Sequence, residues 1–228
     1  MTSAIIVAAG KGTRMGSETD KLFLEVSGRP LIVHTWQRFD ASPSIHEVVL
    51  VVRAGMEEAF QELATRFGFQ KRFKITHGGK ERQDSVWNGL QAASTKTEIV
   101  AIQDGARPCT SEEVISATIE AALQIGAAVA AQRMTDTLKE SDASSMIART
   151  LDRSRMWSVQ TPQAFRYEVI CRALEIVRQN NAIITDDTAA CELIGQPVKL
   201  VESPSPNPKA TSPADLPYIE MLLKSASQ

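Results

Sequence analysis

No stretch of this 228-residue chain approaches the roughly 20 consecutive apolar residues that a helix needs to span a bilayer, which argues against a membrane role. The start lacks the basic flank and long apolar run of a secretory signal. Met1 leads straight into a strand-like segment, Ala4 to Ala8, and the expected location is the cytoplasm. Cysteine is scarce: Cys109, Cys171 and Cys191 are odd in number and widely spaced, with no CxxC pair and no histidine at metal spacing. They read as packing residues. A strong excess of one charge is also missing, because the formal net charge is only -2, whereas nucleic-acid binders usually carry a large basic surplus. Any polyphosphate must therefore meet a local cluster of cations.

The common nucleotide-binding signatures are absent too. A glycine-rich segment follows the first strand, but Met15 stands where the Rossmann fingerprint needs its third glycine, and no GxxxxGK[ST] of a Walker A loop occurs. No internal repeat is apparent. With 43% hydrophobic and 23% charged residues the composition is that of an ordinary globular protein, and the length fits a single domain over residues 1–228.

What is present is an alternation of short β-branched runs with longer segments of helical period. Ala4 to Ala8 precedes Leu31 to Phe39, Val48 to Val52 precedes Met56 to Phe67, and Ile99 to Gln103 precedes Glu112 to Ile125. This is the pattern of βαβ units, so the fold class is α/β, a mostly parallel Rossmann-like sheet flanked by helices. Further strands are expected at Phe73 to Thr76, Ala127 to Ala131 and Val198 to Val201. Helices are expected near Asp84 to Ala93, Tyr167 to Arg178, Asp186 to Ile194 and from Pro213 onward. Between Thr135 and Trp157 the alternation lapses, and a turn at Ser141 to Ser145 predicts an antiparallel arm. Ser203 to Pro208 reads as an extended loop.

Glycines after a first strand let backbone N–H groups approach phosphate oxygens, and here Lys11, Arg14 and Lys21 accompany Gly10, Gly12 and Gly16. The run Ala8-Ala9-Gly10-Lys11-Gly12-Thr13-Arg14-Met15 with Lys21 resembles the signature of sugar-phosphate nucleotidyltransferases, and most closely that of the methylerythritol phosphate cytidylyltransferase family. The resemblance implies that Ala8, Ala9, Gly10 and Gly12 wrap a nucleotide. It implies also that Arg14 and Lys21 stabilise the triphosphate as the bond changes.

Four more segments follow in that family's order. His77 to Val86 resembles its GGxxRxxSV segment, which implies that Gly79, Lys80 and Ser85 contact the base, with Lys80 departing from the more usual acid. Read without the family, Gly78-Gly79 is a turn and Asp84 or Ser85 a helix N-cap. Asp104-Gly105-Ala106-Arg107-Pro108 resembles the DAARP motif, with glycine in place of an alanine. Asp104 would hold Mg²⁺, and Arg107 would orient that carboxylate or reach the second substrate. Asp136-Thr137, Arg153 and Thr161-Pro162-Gln163 match groups that line the sugar-phosphate pocket, some of them from a neighbouring subunit. Thr137, Arg153 and Thr161 are carried over on that basis, with Arg107, as substrate-binding residues. Trp157 reads as a core or dimer contact. Asn207 to Asp215 resembles NIKVTxPxDL, which places Lys209 at the α-phosphate, although Pro208 and Ala210 depart from the pattern.

The resemblance implies an enzyme that joins CTP to 2-C-methyl-D-erythritol 4-phosphate with Mg²⁺, as a homodimer held by the arm at about 135–157. Two other readings share these loops: a ribitol 5-phosphate cytidylyltransferase, and a noncatalytic nucleotide-binding module that keeps the fold. His34, His46 and His77 need no catalytic role, because a phosphate monoester is largely dianionic near neutral pH and is already a competent nucleophile.

Overall fold

The computed structural model describes residues 1–10 and 20–225. In chain order the elements are β1 (Thr2–Ala8), β2 (Glu25–Val26), β3 (Arg29–Pro30), α1 (Leu31–Ala41), β4 (Glu47–Val52), α2 (Glu57–Phe67), β5 (Arg72–His77), α3 (Arg82–Ala92), β6 (Ile99–Asp104), α4 (Glu112–Ile125) and β7 (Ala127–Arg133). They continue with β8 (Lys139–Ser141), β9 (Ile147–Thr150), β10 (Trp157–Arg166), α5 (Tyr167–Gln179), α6 (Asp187–Leu193), β11 (Lys199–Glu202) and α7 (Leu216–Ser225).

Seven strands form the central sheet in the order β11-β7-β10-β6-β1-β4-β5. Every pairing is parallel except those of β10, which runs antiparallel to β6 on one side and to β7 on the other. Every residue of β4 and β6 is buried, as expected for strands covered on both faces. Alternation along each strand divides the apolar side chains into two cores. Ile6, Val48, Leu50, Val52 and Ala101 face α1, α2, α4 and α7, whereas Ile5, Val49, Val51, Val100 and Ile102 face α3, α5 and α6.

β10 is absent from the expectations drawn from sequence. Its polar Ser158, Gln160, Thr161 and Gln163 hide the period, and Pro162 cannot donate to a ladder. The strand accommodates the proline where its register against β7 shifts, between Val159 and Gln163. Thr161-Pro162-Gln163 therefore belongs to the central sheet. The segment before it contains the antiparallel pair β8–β9, which is separate from the large sheet and exposed along both strands. Trp157 opens β10 half-buried, with the Arg133 guanidinium 4.3 Å from its ring centroid. Of the two contacts expected for it, core or dimer, the single chain gives this stacked surface contact in place of core packing.

Among the described residues no helix is long and apolar enough to cross a membrane. Cys191 is fully buried in α6, and burial, followed by the acids Asp187 and Asp186, pushes its thiol up to about 12. Since the thiolate is the reactive form, Cys191 in the native protein should react with a thiol reagent at pH 8 at least about tenfold more slowly than in the denatured chain. Mass spectrometry of time-resolved labelling measures this, and equal rates would contradict the packing assignment.

Candidate active site

A cavity of about 480 Å³ opens at the carboxyl ends of the parallel strands, within the roughly 300–1,000 Å³ usual for small-ligand sites. Its position follows from topology. From β1 the chain proceeds to β4 and β5 on one side, while β6 pairs on the other, so the loops leaving β1 and β6 diverge. The lining comes from five places: Ala8, Ala9 and Gly10 at the end of β1; Gly79, Lys80, Glu81, Arg82 and Ser85 after β5; Asp104, Gly105 and Ala106 at the end of β6; Lys21; and Lys209.

Backbone bonds hold these loops together. Gly105 N–H donates to the Val7 carbonyl at 2.9 Å, and Gly78 N–H to the Val52 carbonyl at 2.9 Å. A Cβ on Gly78 would lie 2.3 Å from Ala9 Cβ, so the second loop approaches the first as closely as it does because it has no side chain there. Gly79 N–H donates to Ser85 Oγ at 3.1 Å, which ties the turn to the first turn of α3. That helix starts at Arg82 with Glu81 before it, and Asp84 Oδ2 accepts the Glu81 N–H at 3.0 Å. Asp84 and Ser85 thus lie inside the helix rather than at the N-cap position expected of one of them.

Asp104 is the electrostatic centre. Lys209 Nζ lies 2.8 Å from its Oδ2, Arg107 Nε 3.5 Å from Oδ2 and Arg82 Nε 3.5 Å from Oδ1. Burial alone would raise the pKa of this carboxyl, but Lys209, Arg82 and Arg107 together hold it below the ordinary aspartate value. Thr161 Oγ1 accepts the Asp104 N–H at 3.1 Å, so Thr161 supports the aspartate from inside the sheet and is not among the residues lining the cavity. Arg107 likewise sits behind Asp104: only 13% of its side chain is exposed, and it donates to the Asn207 carbonyl at 2.6 Å. Of the two roles expected for it, this geometry matches orientation of the carboxylate.

Lys209 reaches the site because its loop is anchored on both sides. Buried Asn207 donates to the Thr161 carbonyl at 2.9 Å and accepts from Thr110 Oγ1 at 3.2 Å, and Ala210 N–H donates to the Ala106 carbonyl at 2.9 Å. Lys21 Nζ donates to the Ala210 carbonyl at 2.9 Å, so the two lysines meet through one short stretch of backbone. Pro208 lacks a donor, and the anchoring donors here belong to Asn207 and Ala210.

The structure therefore brings Ala8, Ala9, Gly10, Lys21, Gly79, Lys80, Ser85, Asp104 and Lys209 to one cavity. Gly12 and Arg14 lie outside the described residues. Thr137 and Arg153 are exposed and are not among the lining residues, and Arg153 Nη1 donates to the Thr135 carbonyl. None of the three histidines lines the cavity either: His34 contacts the Val26 carbonyl at 2.7 Å, His46 accepts from Thr2 N–H at 3.1 Å, and His77 pairs with Glu57. Two residues had no assigned role. Arg82, which occupies the arginine position of the GGxxRxxSV resemblance, lines the cavity, and Asp187 binds it from behind at 2.7 Å.

Asp104 suits magnesium as a hard oxygen donor at the cavity wall. Among the described residues no group of three or more His, Cys, Asp or Glu side chains gathers to hold a metal, so triphosphate and water oxygens would have to supply the other ligands.

Comparison with known proteins agrees with this architecture. The family model for IspD, 2-C-methyl-D-erythritol 4-phosphate cytidylyltransferase, matches residues 2–225. Proteins of that name from Pelotomaculum thermopropionicum and Geobacillus kaustophilus are 43% and 44% identical over 223 and 222 residues. Each alignment covers 97% of this chain, with 94% and 96% of the relative. The crystal structure of a 4-diphosphocytidyl-2C-methyl-D-erythritol synthase from Anaerococcus prevotii superposes with a TM-score of 0.88 at 30% identity, covering 98% of this chain and 96% of that one. That of the cytidylyltransferase from Thermus thermophilus gives 0.78 at 30% identity, covering 96% and 98%. A match that runs from residue 2 to residue 225, over a cavity assembled from the same motifs, means that the chain belongs to the 2-C-methyl-D-erythritol 4-phosphate cytidylyltransferase family.

Proposed function

We propose that this chain transfers the cytidylyl group of CTP to 2-C-methyl-D-erythritol 4-phosphate, giving 4-diphosphocytidyl-2-C-methyl-D-erythritol and pyrophosphate in non-mevalonate isoprenoid precursor synthesis. The observation that carries this reading is the convergence of Ala8 to Gly10, Lys21, Asp104 and Lys209 on one cavity in a chain of this family.

The backbone of Ala8 to Gly10 takes the triphosphate, and Gly79, Lys80 and Ser85 take the cytosine. Nucleotidyl transfer needs positioning and charge stabilisation more than covalent chemistry from the protein. An oxygen of the polyol's 4-phosphate attacks the α-phosphorus in line, and the bond to the pyrophosphate breaks on the opposite side. Lys21 and Lys209, with Arg14 from the first loop, oppose the negative charge that moves onto the leaving group. Mg²⁺, held by Asp104 and the phosphates, would lower the repulsion between the two anionic substrates. Lys209 would then exchange its contact with Asp104 for one with phosphate. Arg107 and Thr161 keep the Asp104 carboxylate and backbone in place.

Thr137 and Arg153 act, in this reading, on the polyol phosphate in a neighbouring subunit of a homodimer formed through β8–β9. Support comes from Met146 and Ile147, apolar side chains 66% and 67% exposed on that hairpin. Arg153→Ala should raise the KM for the polyol phosphate about tenfold or more and leave the CTP KM within twofold, as expected for loss of one charged contact to one substrate. Steady-state titration of each substrate checks this, and equal weakening of both would contradict the assignment.

The decisive experiment is pyrophosphate release on mixing the protein, CTP and Mg²⁺ with either 2-C-methyl-D-erythritol 4-phosphate or ribitol 5-phosphate. Release is expected with the first acceptor and should be at least about 100-fold slower with the second. No release with either acceptor would overturn the proposal.

A further inference from the structure

Arg82 is the first residue of α3 and lines the cavity that holds Lys21 and Lys209. Its guanidinium lies between two carboxylates: Nη1 donates to Asp187 Oδ2 at 2.7 Å, and Nε is 3.5 Å from Asp104 Oδ1. Asp187 is wholly buried, and among the described residues its other oxygen, Oδ1, has no hydrogen-bond partner. Its backbone is locked, because its N–H donates to Gln163 Oε1 at 3.1 Å while Gln163 Nε2 donates to Asp186 Oδ2 at 3.0 Å. The start of α6 is thereby pinned to β10.

A carboxylate in this position is a poor device for stability. Removing two charges from water costs several kcal/mol per ion, and buried ion pairs are often replaced by apolar residues with no loss of stability. What the pair does supply is direction. A planar guanidinium bound along one edge presents its remaining donors at a fixed angle, whereas an arginine in water samples many rotamers. A fixed cation in a cavity for a triphosphate needs no reorganisation when negative charge develops.

We infer that Arg82 is a phosphate-contacting cation of this site, and that Asp187 is a positioning residue which fixes it from behind. The inference rests on the cavity taking CTP. Without Asp187, Arg82 would keep only its contact with Asp104 and lose the second carboxylate that fixes the plane of its guanidinium.

The test uses the full-length protein with Arg82→Gln, Asp187→Asn and both together, measuring CTP·Mg²⁺ affinity by calorimetry, kcat, and the melting temperature. Arg82→Gln should weaken CTP binding about ten- to a hundredfold, the range for loss of a charged hydrogen bond. Asp187→Asn should weaken it at least about threefold without changing the KM for the polyol phosphate, and should add nothing when Arg82 is already glutamine. Affinity and kcat at wild-type level in folded Asp187→Asn, with only the melting temperature lowered, would reduce Asp187 to a structural role and overturn the inference, as would additive effects in the double variant. If Asp187→Asn fails to fold, Arg82→Lys decides. That variant keeps the charge but cannot span both carboxylates, so CTP affinity should fall, and wild-type affinity would overturn the inference. The wild-type control separates the two levels: absence of pyrophosphate release there defeats the assigned reaction, whereas an active wild type with unaffected variants defeats the role of Arg82 and Asp187.

Discussion

Replacing Lys21 by alanine is expected to lower kcat about 10²–10³-fold, the range for removing one preorganised group that meets charge developing in a transition state. Two features of its setting lead to this expectation. Lys21 opens a short 3-10 turn, Lys21–Phe23, whose cap Asp20 accepts the Leu22 N–H at 3.1 Å and pairs with Arg53 at 3.1 Å, so the backbone under the lysine is held firmly. Its ammonium also donates to the Ala210 carbonyl, next to Lys209. Alanine at position 21 therefore removes one cation and loosens the placement of a second. CTP affinity should change less than turnover, because in the proposed reading the backbone of Ala8 to Gly10 also takes the ground-state triphosphate. Single-turnover kinetics beside CTP calorimetry measures both quantities, and an unchanged kcat would remove Lys21 from the mechanism. Lys209→Ala added to Lys21→Ala should cost less than the product of the single effects, since the two side chains share one segment.

The second large effect concerns stability. Trp36→Ala should destabilise the fold by about 3–5 kcal/mol, the range for truncating a large aromatic in a packed core. Trp36 is fully buried in α1, stacked on Phe69 at a centroid distance of 3.8 Å and edge-on to Phe73 at 5.1 Å. That cluster holds α1 against β5 and the end of α2, beneath the strands whose carboxyl ends carry the site. Whole domains have only about 5–15 kcal/mol of net stability, so the alanine variant should lie near its unfolding threshold at 37 °C. Trp36→Phe should cost far less. It keeps an aromatic ring and removes an indole N–H that has no hydrogen-bond partner among the described residues, a group that is expensive to bury. Urea unfolding of both variants checks the order, and equal losses would show that ring packing is not the determining term.

Much of this molecule is legible from local pattern. Glu112 to Ile125 was expected as a helix and forms α4 with those bounds, because apolar residues at helical spacing sit between a serine that accepts the Val114 N–H and Gly126 in the left-handed region at φ 103°. β4 and β6 are uninterrupted apolar runs for the same reason that they are buried on both faces. β10 is not legible in this way because its alternation is broken by polar residues whose partners are far away: Thr161 serves Asp104, and Gln163 serves Asp186 and Asp187. Nothing within the strand's own ten residues announces those contacts.

The candidate site divides in the same way. Lys21, Asp104 and Lys209 were found through the motifs that contain them, and they converge on one cavity. Arg82 is the arginine of the GGxxRxxSV resemblance, yet its part depends on Asp187, 105 positions further along the chain. An aspartate at a helix start is ordinary until a fold buries it against a guanidinium. Thr137 and Arg153 were found by the same resemblance, but the chain places them on the exposed segment around the β8–β9 hairpin and not at the cavity.

The sequence by itself determined the alternating α/β order, the bounds of most helices, and the residue types available for phosphate chemistry, since these depend on neighbours within a few positions. Only the tertiary structure decided that β10 enters the sheet antiparallel, that Asp104 is faced by three cations, and that Asp187 lies behind Arg82. Those facts arise when segments a hundred residues apart close on each other. That step is governed by burial and register across the whole sheet rather than by any local run of residues.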